Sequence, residues 1–287
     1  MAWGDNGFSG FQAPLSGLAG NRYLEGVERR GWLDLWRAPV LDAVEEGGIE
    51  ARWFGPIQAT IVAGLPEAPL LNLILGAAEH GAVKEGHLEA AIEWAESHGV
   101  DCRIPVSTDG PEAGAAEDFL NRRGYRRTER LVRFVRDTSP PHFTEPPGIE
   151  VDEVPEFMEG FSEYLAEGFG LDLIAGAFFD CLPERERWRS YVAIGDRGYG
   201  IGAATMMVDC GVAMLGFVAT NAPERGKGGH TALLRRCIRD AAAAGCRIIF
   251  TDAEEPIGDA PGTSPAARNL ARAGFRESTA RPIWRPA

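Results

Sequence analysis

Apolar and polar positions change period along the chain, and the second half reads most directly. IEVDEV (149–154) alternates as a short strand, VPEFMEGFSEYLAEGF (154–169) carries apolar residues at helical spacing, and LIAGAFFDCL (173–182) predicts a second helix stopped by Pro183. Three apolar runs follow, WRSYVAIGD, GIGAATMMVD and VAMLGFVAT, separated by the Gly-rich turns DRGYG and DCG, which predicts an antiparallel meander. Then the period lengthens. TALLRRCIRDAAAAG reads as a helix, CRIIFTD as a strand, SPAARNLARAG as a helix and FRESTARPIW as a final strand. In the first half, two short helical stretches (RYLEGVERRGWLDLWR and APVLDAVEEG) precede WFGPIQATIVAG. The strand PLLNLILG, the helix HLEAAIEWAESHG, the strand DCRIPVS, the helix AAEDFLNRRG and a closing strand or hairpin RRTERLVRFVR complete it. Both halves thus end β, α, β, α, β, and NRRGY and ARAGF each place a Gly at a helix stop before an aromatic strand residue, so two diverged copies of one α/β fold are inferred.

DTSPPHFTEPPG separates them, with four prolines in twelve positions. The expected division is a domain over 1–136, a linker over 137–147 and a second domain over 148–287. With 287 residues, 45% of them hydrophobic, the chain is large enough for two cores. No run is long enough to span a membrane and MAWGDNGFSGFQAPLSG has no basic leader, so a cytoplasmic protein without a membrane partner is expected. Cys102, Cys181, Cys210, Cys237 and Cys246 are scattered and read as small core residues, not as disulfides or metal ligands. A net charge of −13 disfavours nucleic acid and leans weakly toward cationic partners. The run from Arg122 to Arg136 is the local exception, and its alternation reads as strands with a solvated arginine face.

Chemistry concentrates in GFVATNAPERGKGGHTALL (216–234), where an apolar strand enters a turn with Gly226, Gly228 and Gly229 and a helix begins at once. Glycines let backbone approach a ligand, and a helix N-terminus offers free N–H groups to an anion. Arg225 and Lys227 add positive charge. The segment is neither a P-loop nor a GxGxxG fingerprint.

Residues 148–287 resemble the GCN5-related N-acetyltransferases (GNAT), whose acetyl-CoA signature [QR]xxGx[GA] stands here as Arg225, Gly226, Lys227, Gly228, Gly229, His230. Pro223 and the ending SPAARNLARAGF extend the likeness. The resemblance implies two GNAT-like domains, each a mixed, mostly antiparallel sheet flanked by helices. It also implies acetyl-CoA or another acyl-CoA as cosubstrate, without a metal. Backbone groups of Val218 and Thr220 would meet the pantetheine arm, and N–H groups of Gly226, Gly228, Gly229, His230 and Thr231 the pyrophosphate. Ser264 and Asn269 would meet the far end of CoA. His230 departs from the usual Gly or Ala and is read as structural.

The implied chemistry is direct attack of a small-molecule primary amine on the thioester, in a ternary complex. Glu254 and Glu255 are candidate bases, with Glu167 and Asp172 also considered; Leu270 stands where the family often has an acidic Tyr, leaving Tyr164 and Tyr191 as substitutes to test. In the first half, GAAEHGAVKEGHLEAA lacks the motif and puts Glu79 and Glu85 where phosphate would be repelled, so this copy is read as degenerate. It is left with shaping the acceptor site or a homodimer interface. Trp32, Trp36, Trp53 and Trp94 read as core, with one or two available to an acceptor pocket, and His80, His87, His98 and His142 form no metal motif. The alternative reading is a catalytically silent acyl-CoA-binding regulatory module.

Overall fold

The first helix, α1 (Leu18–Trp36), is a single 19-residue element in which the sequence predicts a helix starting only at Arg22. The computed structural model describes residues 18–38, 44–45, 47–68, 70–144, 146–158, 160–169, 178–258 and 264–287. Most of APVLDAVEEG and of LIAGAFFDCL lies outside the described residues. WFGPIQATIVAG belongs to a hairpin of β1 (Ile49–Phe54) and β2 (Ile57–Val62), turned at Gly55, whose φ of 54° and proximity to the His87 ring both exclude a side chain. The strands predicted over PLLNLILG and DCRIPVS shrink to β3 (Leu73–Leu75) and β4 (Ile104–Pro105). Between them lies α2 (His87–Ser97), and α3 (Ala113–Arg122) leads into β5 (Tyr125–Asp137), one long strand and not a hairpin.

The second half follows the expected order: β6 (Glu150–Val154), α4 (Phe161–Phe169), the antiparallel meander β7 (Trp188–Ile194), β8 (Gly200–Asp209) and β9 (Val212–Thr220), then α5 (Gly229–Ala243), β10 (Ile248–Pro256), α6 (Pro265–Arg272) and β11 (Arg276–Pro286). The large sheet has the order β4-β11-β5-β10-β9-β8-β7-β6 and is antiparallel except between β9 and β10. A second sheet, β1-β2-β3, joins it where Arg103 donates its N–H to Asn72 O and accepts from Ile74 N, both at 2.9 Å.

The closing strands are exchanged. β5, the last strand of the first half, lies between β10 and β11, while β11, the last strand of the chain, pairs with β5 and β4. The linker must therefore carry the chain from β5 back past four strands to the edge strand β6, a distance of roughly 24 Å at the usual strand spacing. Residues 138–149 span this easily when extended. They pack as they go: Arg235 Nη1 donates to Phe143 O at 2.6 Å, and Pro146 abuts Gly228.

Helices cover the sheet on both faces. Face one packs α1 and α4 around Trp36, Phe178, Phe179 and Phe217, the other packs α5 and α6 around Leu233, Ile238 and Phe275, and a third cluster under α2 and α3 fills the first half. Each buried side chain of this size contributes roughly 1.5–3 kcal/mol. Three sequence expectations fail here. Trp53 is 46% exposed on the edge strand β1, and Cys210 is exposed at the β8–β9 turn with a φ of 49°. The arginine face is solvated at Arg122, Arg126 and Arg127 but not beyond: Arg133 is wholly buried, Arg136 is buried, and Arg130 is paired with Glu255. Alternation with apolar residues looks the same whether the polar face meets water or a layer of carboxylates, and here α1 and β10 supply the carboxylates.

Candidate active site

β9 and β10 pair over three positions only, from Ile248 opposite Val212 to Phe250 opposite Met214. Beyond that β10 stays bonded to β5 as far as Pro256 opposite Glu129, while β9 stays with β8 and bulges. Thr205 faces Phe217 and Met206 faces Leu215, so Gly216 is the extra residue, and such a bulge bends its strand and interrupts the ladder. The two strands are pulled apart, and a cavity of about 270 Å³ fills the gap. It perforates the sheet, since Leu234 and Leu270 line it from α5 and α6, and Trp32 and Leu35 line it from α1 on the opposite face.

At the mouth of the gap stands the glycine loop. Gly226 and Gly228 have φ of 81° and 101°, the left-handed region that favours glycine. The first-turn N–H groups of α5, including those of Gly229, His230 and Thr231, have no intrahelical acceptor, and no side chain caps them. Arg225 is exposed and reaches Thr220 O and Gly168 O at 3.3 Å, and Lys227 Nζ lies 2.8 Å from Glu224. Thr220 Oγ1 and Asn221 Oδ1 are buried without a hydrogen-bond partner. Uncapped donors, nearby cations and an open slot between strands fit the pyrophosphate and pantetheine arm of an acyl-CoA.

The corresponding loop of the first half, between β3 and α2, is filled from within. Glu112, the residue before α3, accepts hydrogen bonds from the N–H groups of Gly81 at 3.0 Å, Val83 at 3.0 Å and Lys84 at 3.4 Å. These donors hold its carboxyl down at about 2, so it is a fixed anion on this loop. Glu79 is engaged by Arg22 and Arg29, and Glu85 by His87.

His230 lines the cavity, its ring enclosed by the wall but not sealed from the cavity. Burial pushes its pKa down to about 4, leaving it neutral, and Nδ1 has no partner. Val218 and Glu254 also line the cavity. Glu255 does not: it is buried, and Arg130 Nε and Nη2 bind it at 3.1 and 2.7 Å. Glu167 is exposed on α4, and Asp172 lies outside the described residues. Ser264 caps α6, its Oγ accepting from Ala267 N at 3.1 Å, and Asn269 accepts from Arg272 at 3.3 Å. Neither Tyr164 nor Tyr191 lines the cavity, and Tyr191 is fully buried.

Two wall residues had no sequence signal beyond composition, Glu28 on α1 and Arg103 before β4, whereas Trp32 is one of the tryptophans left available to an acceptor pocket. Gly216 did have one, a glycine inside an otherwise apolar strand, which marks a bulge or a close approach. Beneath the cavity, Glu28 and Asp252 share Arg133 and Arg281 at 2.6–3.0 Å. Burial opposes ionisation of Glu28, but Arg281 and Arg133 outweigh it and hold the carboxyl well below the usual range. Among the described residues no group of His, Cys, Asp and Glu could hold a metal ion, and no helix is long and apolar enough to cross a membrane.

No family model and no curated protein sequence matches the chain. Solved structures do. A GCN5-related N-acetyltransferase from Kribbella flavida superposes with a TM-score of 0.65 at 14% identity, covering 92% of this chain and 95% of its own. One from Sphaerobacter thermophilus gives 0.56 at 18% identity over 72% of this chain and 68% of its own. A tandem GNAT protein from the clavulanic acid biosynthesis pathway gives 0.55 at 16% identity over 80% and 78%. With the splayed strands, the bulge and the glycine loop in place, the chain has the fold of the GCN5-related N-acetyltransferases.

Proposed function

We propose that the protein is an acyl-CoA-dependent N-acyltransferase that acetylates a primary amine of a small molecule by direct attack in a ternary complex. The observation that carries this reading is the contrast between the two glycine loops. In one, Glu112 accepts from the loop N–H groups of Gly81, Val83 and Lys84, although the first turn of α2 is itself uncapped; the other stands beside two cations at the mouth of a cavity that runs through the sheet.

In this reading the N–H groups at 226–231 bind the pyrophosphate, and backbone groups of β9 near Gly216 and Val218, released from β10, orient the thioester and stabilise the oxyanion. Glu254 lies on the cavity wall in reach of a role as base, whereas Glu255 is committed to Arg130. The first half supplies much of the acceptor end through α1, β3 and β4.

A second reading, a catalytically silent acyl-CoA-binding module, draws on Leu270, an apolar residue on the cavity wall where an acid would assist the departing sulfur. Water or the acceptor nitrogen can protonate a thiolate, which is already a good leaving group. The two readings separate in an assay of CoA release with acetyl-CoA and longer acyl-CoAs against a panel of amines, amino acids and aminoglycosides. Turnover above background with any acceptor supports the enzyme; binding of acetyl-CoA with no turnover supports the module.

A further inference from the structure

The acceptor end of the cavity has an unusual charge distribution. Its walls are largely apolar, with Trp32, Leu35, Leu70, Leu73, Leu75 and Leu131 among them. Glu28 and Asp252 also border it, but both are neutralised by Arg133 and Arg281 below. That leaves one ion pair on the wall, Arg103 with Glu254, whose Nη2 and Oε2 are hydrogen-bonded.

Arg103 is not a surface arginine. It is 5% exposed, its backbone is clamped on both sides by Asn72 and Ile74, and its Nε is buried with no hydrogen-bond partner. A further carboxylate, Glu129, stands 3.9 Å from Nη2, too far for a hydrogen bond. Arg103 lines the cavity, and a carboxylate paired with a guanidinium is among the strongest charge-assisted contacts. Glu254, by contrast, is half exposed and free to turn.

We infer that the acceptor is an apolar α-amino acid, bound as a zwitterion: its carboxylate on Arg103, its ammonium on Glu254 and its side chain among the leucines and Trp32. The inference rests on the reading of the cavity as an acyl-transfer site. A zwitterion supplies a partner for each member of the Arg103–Glu254 pair, whereas a simple amine supplies one only for Glu254 and leaves Arg103 without the anion it loses.

The arrangement also couples binding to chemistry. A carboxylate taking Nη2 displaces Glu254 from it, and Glu254 becomes available as a base. The ammonium gives one proton to Glu254, and thence to water; its nitrogen lone pair forms the bond to the acyl carbon, the carbon–sulfur bond breaks, and the second proton passes to the sulfur. The products are the N-acyl amino acid and the free thiol of CoA.

The test compares L-leucine and L-phenylalanine with isoamylamine, phenethylamine and leucinamide as acceptors for the full chain, with acetyl-CoA binding measured calorimetrically in the same samples. The amino acids should exceed their carboxylate-free counterparts in kcat/KM by about tenfold or more, the worth of a charge-assisted pair in a desolvated site. In Arg103→Gln that ratio should fall to near one through a rise in KM for the amino acid, and Arg103→Lys should restore part of it. If Arg103→Gln fails to fold, the wild-type comparison of leucine with leucinamide still decides. Amines used as well as amino acids, or a ratio that survives Arg103→Gln, would overturn the proposal. Acetyl-CoA binding without binding or acetylation of any amino acid would overturn it alone, whereas absence of acetyl-CoA binding would remove the underlying reading of the site.

Discussion

Arg133 on β5 and Asp252 on β10 stand opposite each other in the register and join through two hydrogen bonds, Nε to Oδ1 at 3.0 Å and Nη2 to Oδ2 at 2.9 Å. One residue ends the first half and the other belongs to the second, so the exchanged strands are locked by buried charge directly under the cavity. Arg133→Met should destabilise the protein by about 3 to 5 kcal/mol, because it leaves Glu28 and Asp252 with only Arg281. The double variant Arg133→Met/Asp252→Leu keeps Glu28 balanced by Arg281 and should recover a large part of that loss. Urea unfolding of the three proteins measures both; a double variant no more stable than Arg133→Met would show that the unpaired Asp252 is not the source of the loss.

The filled loop of the first half gives a second expectation. Glu112 has a depressed folded pKa, so its contribution is present above the unfolded value of about 4.5 and is lost as pH falls toward about 2. Glu112→Gln should therefore be less stable than the wild type by a constant amount above pH 5, with the gap narrowing below 4.5. A gap independent of pH in thermal melts would mean that the carboxylate charge is not what holds Gly81, Val83 and Lys84.

How much of this was readable in the sequence varies with the range of the interaction. The second half was legible, because period and turn signals are local, and so was the glycine loop. The strand exchange was not, since the alternation of β5 is the same whichever strands flank it. Arg133 was misread for a related reason: its partners Glu28 and Asp252 lie 105 and 119 residues away. The short β3 and β4 were overextended because buried apolar segments continue beyond the last hydrogen-bonded pair. In the first-half loop the sequence pointed to Glu79 and Glu85, whereas the carboxylate that holds its N–H groups, Glu112, arrives from beyond β4.

His230 makes a third prediction. A histidine held neutral by burial has a folded pKa of about 4 against about 6.5 unfolded, so between those values the unfolded chain binds the additional proton. Stability is then lost as pH falls from 6.5 toward 4. His230→Leu should flatten this slope between pH 6.5 and 4.5, where carboxylates with ordinary values contribute little. Melting temperatures across that range check it, and an unchanged slope would place the titration elsewhere.

The loop itself is best probed at Gly226. A Cβ at Gly228 would lie 2.7 Å from the Pro146 Cβ, so substitution there disturbs the linker as well as the ligand, whereas a Cβ at Gly226 meets nothing within 4 Å. Asp tolerates a positive φ better than most residues. Gly226→Asp should fold normally and weaken acetyl-CoA by roughly tenfold or more through charge repulsion at the pyrophosphate, while Arg225→Ala, which removes an exposed cation, should cost about threefold or less. Equal effects would indicate that affinity comes from the side chain and not from the backbone cradle.

In the proposed function one glycine loop is an acyl-CoA cradle and the first-half loop is held by its own carboxylate. Isothermal titration of the full chain with acetyl-CoA decides between the two loops. One molecule bound per chain, with affinity weakened about tenfold or more in Gly226→Asp and retained in Glu112→Gln, is the predicted result; two equivalent sites, or none, would contradict that reading.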